Sequence, residues 1–147
     1  MNRACRMAGI HLMAFSVLAL TALAEDNTKS IEGAWRQVEQ KNGDAKEYQR
    51  FPAGTEMTTC IVGGRFIWTV DRGGKVLGVA GGRYQMKNDK WSETIDYVSG
   101  PGVPTSFVGS TFDFTVKVTG DTCTKVGTVQ VNGQAYKIDE KWERCKP

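Results

Sequence analysis

From residue 31 onward, apolar and polar positions alternate in runs of about seven to eleven residues separated by short turn signals, the pattern of an all-β chain. The runs predict strands at 31–40, 55–62, 65–71, 75–87, 91–98, 107–118, 123–131 and 135–145. Most links between them are short: Gly63-Gly64, "RGG" at 72–74, "NDK" at 88–90, "TGD" at 119–121 and Asn132-Gly133. Asn-Gly is a strong hairpin signal because both residues tolerate positive φ. Links this short force antiparallel neighbours, so the chain meanders. Two connections are long, the polar 41–54 stretch and "SGPGVPTS" at 99–106. No helical period is sustained. The expectation is one domain over 25–147, an eight-stranded antiparallel up-and-down β-barrel in which the first strand pairs with the last and leaves no free edge.

Alternation also assigns faces. Phe112, Phe114, Val116 and Val118 share one face, opposite Asp113, Thr115 and Lys117. In 65–71 the apolar set is Phe66, Trp68 and Val70; a three-residue link at 72–74 would set Val70 against Val76, Trp68 against Gly78 and Phe66 against Ala80. Gly81-Gly82 mark a bulge or bend in the long fourth run. The inward set of 91–98 is Trp91, Glu93, Ile95 and Tyr97, and that of the last strand is Tyr136, Ile138, Glu140, Trp142 and Arg144. Lys137, Asp139, Lys141 and Glu143 then face solvent.

Polar groups on an inner face must pair, neutralise, or meet water or ligand. One reading is an internal Arg–Glu network beside one end of the barrel, with Gln37 nearby. The other is a ligand pocket in which Glu93, Tyr97 and Tyr136 orient a polar head among Trp68, Phe112 and Phe114, with Tyr84 and Glu140 further candidates on the inner face. Its mouth would lie beneath the 41–54 connection, long enough to serve as a lid. A carboxylate pair also raises glycoside hydrolysis, but two glutamates on separate strands form no motif.

Gly33-x-Trp35 opens the first strand and Arg144 closes the last. Antiparallel pairing brings them to the same end, where a guanidinium over an indole contributes about 0.5–2 kcal/mol. This pattern resembles that of the lipocalins, as does a long first connection followed by short hairpins. "GGRYQM…WSETIDY" and "EKWERC" are similar to short secreted bacterial lipocalin-like domains. The resemblance spans the mature chain and implies that Gly33, Trp35 and Arg144 close the barrel floor. It departs from the family in lacking a Thr-Asp-Tyr motif near residue 120.

Arg3 and Arg6, the apolar run "IHLMAFSVLALTALA" and Ala22-Leu23-Ala24 read as a signal peptide over residues 1–24. A secreted or periplasmic protein without stable membrane insertion is expected. Losing the two arginines lowers the net charge of +3 by two, which leaves no electrostatic footprint for nucleic acid. The only histidine, His11, lies in the same segment. The mature chain therefore has no imidazole for a Ser-His-Asp, Cys-His or histidine–metal site, and no enzyme, metal or cofactor is expected. Of Cys60, Cys123 and Cys145, the last two sit on neighbouring strands and are the expected disulfide if one forms, with Cys60 free; three reduced thiols are the alternative. That bridge requires an odd-length link or a bulge between the strands. The expected function is non-catalytic binding of a small apolar or amphipathic ligand. The alternative is a filled barrel acting as an interaction or inhibitor module through its surface and loops.

Overall fold

A computed structural model describes residues 31–41, 43–131 and 133–146. The proposed signal peptide and Asn132 lie outside the described residues. The strands are β1 (Gly33–Gln40), β2 (Gln49–Arg50), β3 (Thr55–Val62), β4 (Arg65–Arg72), β5 (Lys75–Lys87), β6 (Lys90–Ser99), β7 (Thr111–Thr119), β8 (Thr122–Val131) and β9 (Gln134–Arg144). Every pairing is antiparallel, in the order β2-β1-β3-β4-β5-β6-β7-β8-β9, and β1 also pairs with β9. Eight strands thus close an up-and-down barrel, with the two-residue β2 appended to the end of β1. Trp35 lies directly opposite Arg144 in the closing pair.

The inner face follows the alternation of the sequence. Trp35, Ile61, Phe66, Ala80, Trp91, Ile95, Phe112, Phe114, Val116 and Trp142 are buried together. Where β4 meets β5, the observed register differs from the predicted one by two residues. Arg72 pairs with Lys75 across a tighter turn, and a bulge beyond Asp71–Val76 then sets Val70 against Gly78, Trp68 against Ala80 and Phe66 against Gly82. An even shift keeps every side chain on its face, so large residues still meet small ones.

A second bulge changes faces. Gly81 pairs with Tyr97 but Gly82 pairs with Ile95, leaving Asp96 as an extra residue in β6. The phase flips there: Ile95 is buried, Tyr97 is 48% exposed, and Val98 packs against the core instead. A Cβ on Gly82 would lie 1.9 Å from the Thr94 carbonyl oxygen, so glycine is what lets the backbones come this close. Asp96 points outward and binds both Arg65 and Arg83 at 3.0 Å.

The two long connections lie at the end of the barrel opposite Trp35. The 41–54 connection is anchored against the outer side of β9. Tyr48 donates to Asp139, its ring between the ammonium groups of Lys41 (4.4 Å) and Lys141 (3.8 Å). The Asp139 bond and burial push the Tyr48 hydroxyl up to about 12. The connection between β6 and β7 turns inward. It carries a one-turn 3-10 helix, Thr105–Phe107, and Val103 packs down onto Gly78.

Candidate functional site

At the floor, Trp35 is 1% exposed and its Nε1–H donates to the Ile31 carbonyl at 2.7 Å. The Arg144 guanidinium lies 4.1 Å from the Trp35 ring, donates to the Glu32 carbonyl at 2.7 Å and meets Asp121 at 3.5 Å. Gly33 has φ +127°, and a Cβ there would approach Arg144 Nη1 to 2.7 Å. Glycine is therefore fixed twice, by its backbone and by the arginine above it. Tyr84 belongs to this floor and not to a pocket wall. It is buried and stacks on Trp91 at 4.1 Å and 8°.

Above the floor is a cavity of about 150 Å³. Trp68, Phe112 and Phe114 line it, with Met57, Ile95 and Val129. Phe107, from the inward-turning connection, borders it and meets Phe112 edge-on at 5.1 Å. The lid predicted for 41–54 is thus misplaced: none of its described residues lines the cavity. Tyr97 and Tyr136 do not line it either. Tyr97 is turned out by the Asp96 bulge. Tyr136 keeps inward parity but is 48% exposed and bonds Gln134, because the β8–β9 hairpin overhangs the rim. The pairing of β7 with β8 stops at Gly127, short of Val129 opposite Tyr136.

A polar belt crosses the cavity wall. Glu93 on β6 is 5% exposed; its Oε2 accepts from Trp91 Nε1–H at 2.7 Å and from Lys125 Nζ at 2.9 Å. Lys125 reaches Glu93 from β8 by lying over the Phe114 ring, 4.0 Å from its centroid. Phe114 in turn lies against Gly127, where a Cβ would come within 2.6 Å of the ring. Across the lumen, Trp142 Nε1–H donates to Glu140 Oε2 at 3.1 Å. "WSE" on β6 and "EKW" on β9 therefore make the same local motif, an indole bonding the carboxylate two residues away on one strand face.

The two glutamates differ in what balances them. Lys125 stands directly opposite Glu140 in the β8–β9 ladder yet spends its ammonium on Glu93. Burial raises the Glu140 carboxyl above its usual 4.5, against the opposing pull of Lys125 and the Trp142 bond. The expected Arg–Glu network is thus a Lys–Glu pair, with Arg144 committed to the floor. Lys125 escaped the sequence reading, although its alternation with Cys123 and Val129 marks it as inward. Gln37 is buried, donates to Gln40 at 3.1 Å, and leaves Oε1 without a partner among the described residues.

The expected Cys123–Cys145 bridge is absent. Cys123 lies inside, opposite Trp142, whereas Cys145 is exposed and reaches Ala34 through its backbone. Val131 pairs with Gln134 and the β8–β9 register carries no bulge, so the two thiols stay on opposite faces. Burial pushes the Cys123 thiol up to about 12. No group of three or more potential metal ligands occurs among the described residues.

No protein-family model and no curated protein matches the chain. Among solved structures it is similar to an uncharacterized protein from Bacteroides eggerthii, with 17% sequence identity and a TM-score of 0.46. The match covers 74% of this chain and 98% of that one.

Proposed function

We propose that the protein is an exported, lipocalin-like barrel that holds one small, mainly apolar molecule without transforming it. The supporting observation is the cavity of about 150 Å³, walled by aromatic and aliphatic side chains and crossed by a few placed polar groups. An apolar protein cavity of about this volume accepts a benzene molecule. The ligand is therefore of single-ring size, smaller than the occupant of a several-hundred-Å³ carrier site. That modest volume also favours a second reading, a nearly filled barrel that works through its surface and loops.

Toluene separates the two readings. A saturable change in tryptophan fluorescence, with amide NMR shifts confined to cavity-lining residues, is expected on titration. Trp68→Arg or Phe112→Arg should abolish it while circular dichroism retains the β spectrum. Absence of any saturable shift in the folded wild-type protein would leave the surface-acting barrel as the better account.

A further inference from the structure

We infer that the polar belt receives the head of a small primary amine and that Glu140 is the carboxylate that meets it. This rests on the cavity-binding reading above and adds the chemistry of the ligand. The belt holds two carboxylates and one ammonium, and the ammonium is already used: Lys125 Nζ sits 2.9 Å from Glu93. Glu93 also takes the Trp91 indole on the same oxygen. Glu140 has one indole donor on Oε2, and its other oxygen has no hydrogen-bond partner among the described residues. Glu140 lines the cavity, so a ligand there can reach it.

An arriving ammonium supplies both things Glu140 lacks, a counter-charge and donors for its second oxygen. Indole and phenyl rings around the lumen add favourable surfaces for a cation. A carboxylate ligand would instead face Glu93 and Glu140 with no cation left to receive it. A neutral alcohol offers a weaker hydrogen bond and no charge. The cavity volume limits the amine to about one ring with a short arm, benzylamine being the simplest case. Its ring lies toward Phe107 and Phe112, with its nitrogen toward the belt.

The raised carboxyl gives binding a proton signature. Where Glu140 carries a proton before the ligand arrives, the entering ammonium replaces it, and one proton leaves to solvent with no net change in cavity charge. The titratable groups near Glu140 on the inner side are Lys125 and Cys123 from β8 and Glu93 from β6; Asp139, its chain neighbour, lies on the outer face and acts only through its charge. β1 sets Gln40 opposite Glu140, and the cavity-lining residues of β3, β4 and β7 carry no titratable group.

The test is calorimetric titration of the full chain with benzylamine, benzyl alcohol, toluene and benzoate. Measurements are made in buffers of different ionisation enthalpy between pH 5 and 8. Benzylamine should bind roughly tenfold or more tighter than toluene, the effect of one charge-assisted hydrogen bond. Any proton release that accompanies its binding should grow as the pH is lowered, because burial raises the Glu140 carboxyl. Benzoate should bind most weakly. Glu140→Gln should remove the proton release and bring benzylamine down to the affinity that toluene shows for the same variant. If toluene binds and benzylamine is no better, the amine inference is overturned and the pocket reading stands. If none of the four binds, both fall. The wild-type proton release tests the inference even if Glu140→Gln folds poorly.

Discussion

Trp35 and Arg144 form a single contact across the closing strand pair. Trp35→Ala should cost about 3–5 kcal/mol as a core aromatic truncation. Arg144→Ala should cost less, and the double variant less than the sum, because both remove the same stacked pair. Chemical denaturation of the four proteins measures this, and strict additivity would contradict the stacking. Glu140 gives a pH-dependent counterpart. Its folded carboxyl is raised above 4.5 by burial, so in the unfolded chain it ionises first as pH rises. Stability attributable to its neutral form is present below that value and lost as pH climbs through the folded one. Glu140→Gln should therefore melt higher than wild type at pH 8, and the difference should close near pH 4. A variant that melts lower at pH 8 would mean the ionised carboxylate is well solvated.

At the scale of the strand, alternation placed most side chains on the correct face, because parity survives even-numbered errors of register. Trp68, Glu93, Phe112, Phe114 and Glu140 were legible for that reason. Tyr97 was not. An odd insertion at Asp96 reverses parity, and Gly81-Gly82 signal a bulge without saying which strand carries the extra residue. Tyr136 was lost differently, since parity says which way a side chain points but not where the barrel rim ends. Lys125 was hidden by its charge: the long ammonium reads as solvent-facing until Gly127 and Phe114 provide the platform that carries it to Glu93. Gly82→Ala tests the bulge. With backbone atoms at 1.9 and 3.0 Å from the added carbon, the loss should reach or exceed roughly 1–3 kcal/mol, the usual cost of overpacking. A neutral outcome in thermal melts would show that β5 and β6 separate there easily.

For the whole molecule, closure divides the described cysteines into one inside and two outside. Cys60 on β3 and Cys145 just past the end of β9 flank Ala34 on the outer wall. Both are exposed, and Cys123 is buried with a thiol held near 12. Because the thiolate is the reactive form, iodoacetamide should label Cys60 and Cys145 in the native protein and reach Cys123 only after unfolding. Peptide mapping by mass spectrometry reads the pattern directly. A Cys123–Cys145 linkage would overturn the β8–β9 register.

Joining β1 to β9 also orders events in time. Apart from the β1 pairings and the β6–β7 loop, each wall strand meets its successor across a tight turn, which can form soon after that stretch of chain is available. The closing ladder instead joins Trp35 to Arg144, and so waits for nearly the whole sequence. Such distant pairings are slow because the chain must surrender its freedom before the contact repays it. Until then the nascent sheet has two open margins and an uncovered aromatic interior, the state most prone to sticking to its neighbours. Arg144 settling over Trp35 is therefore expected among the late contacts, which φ-values near zero at both positions would show.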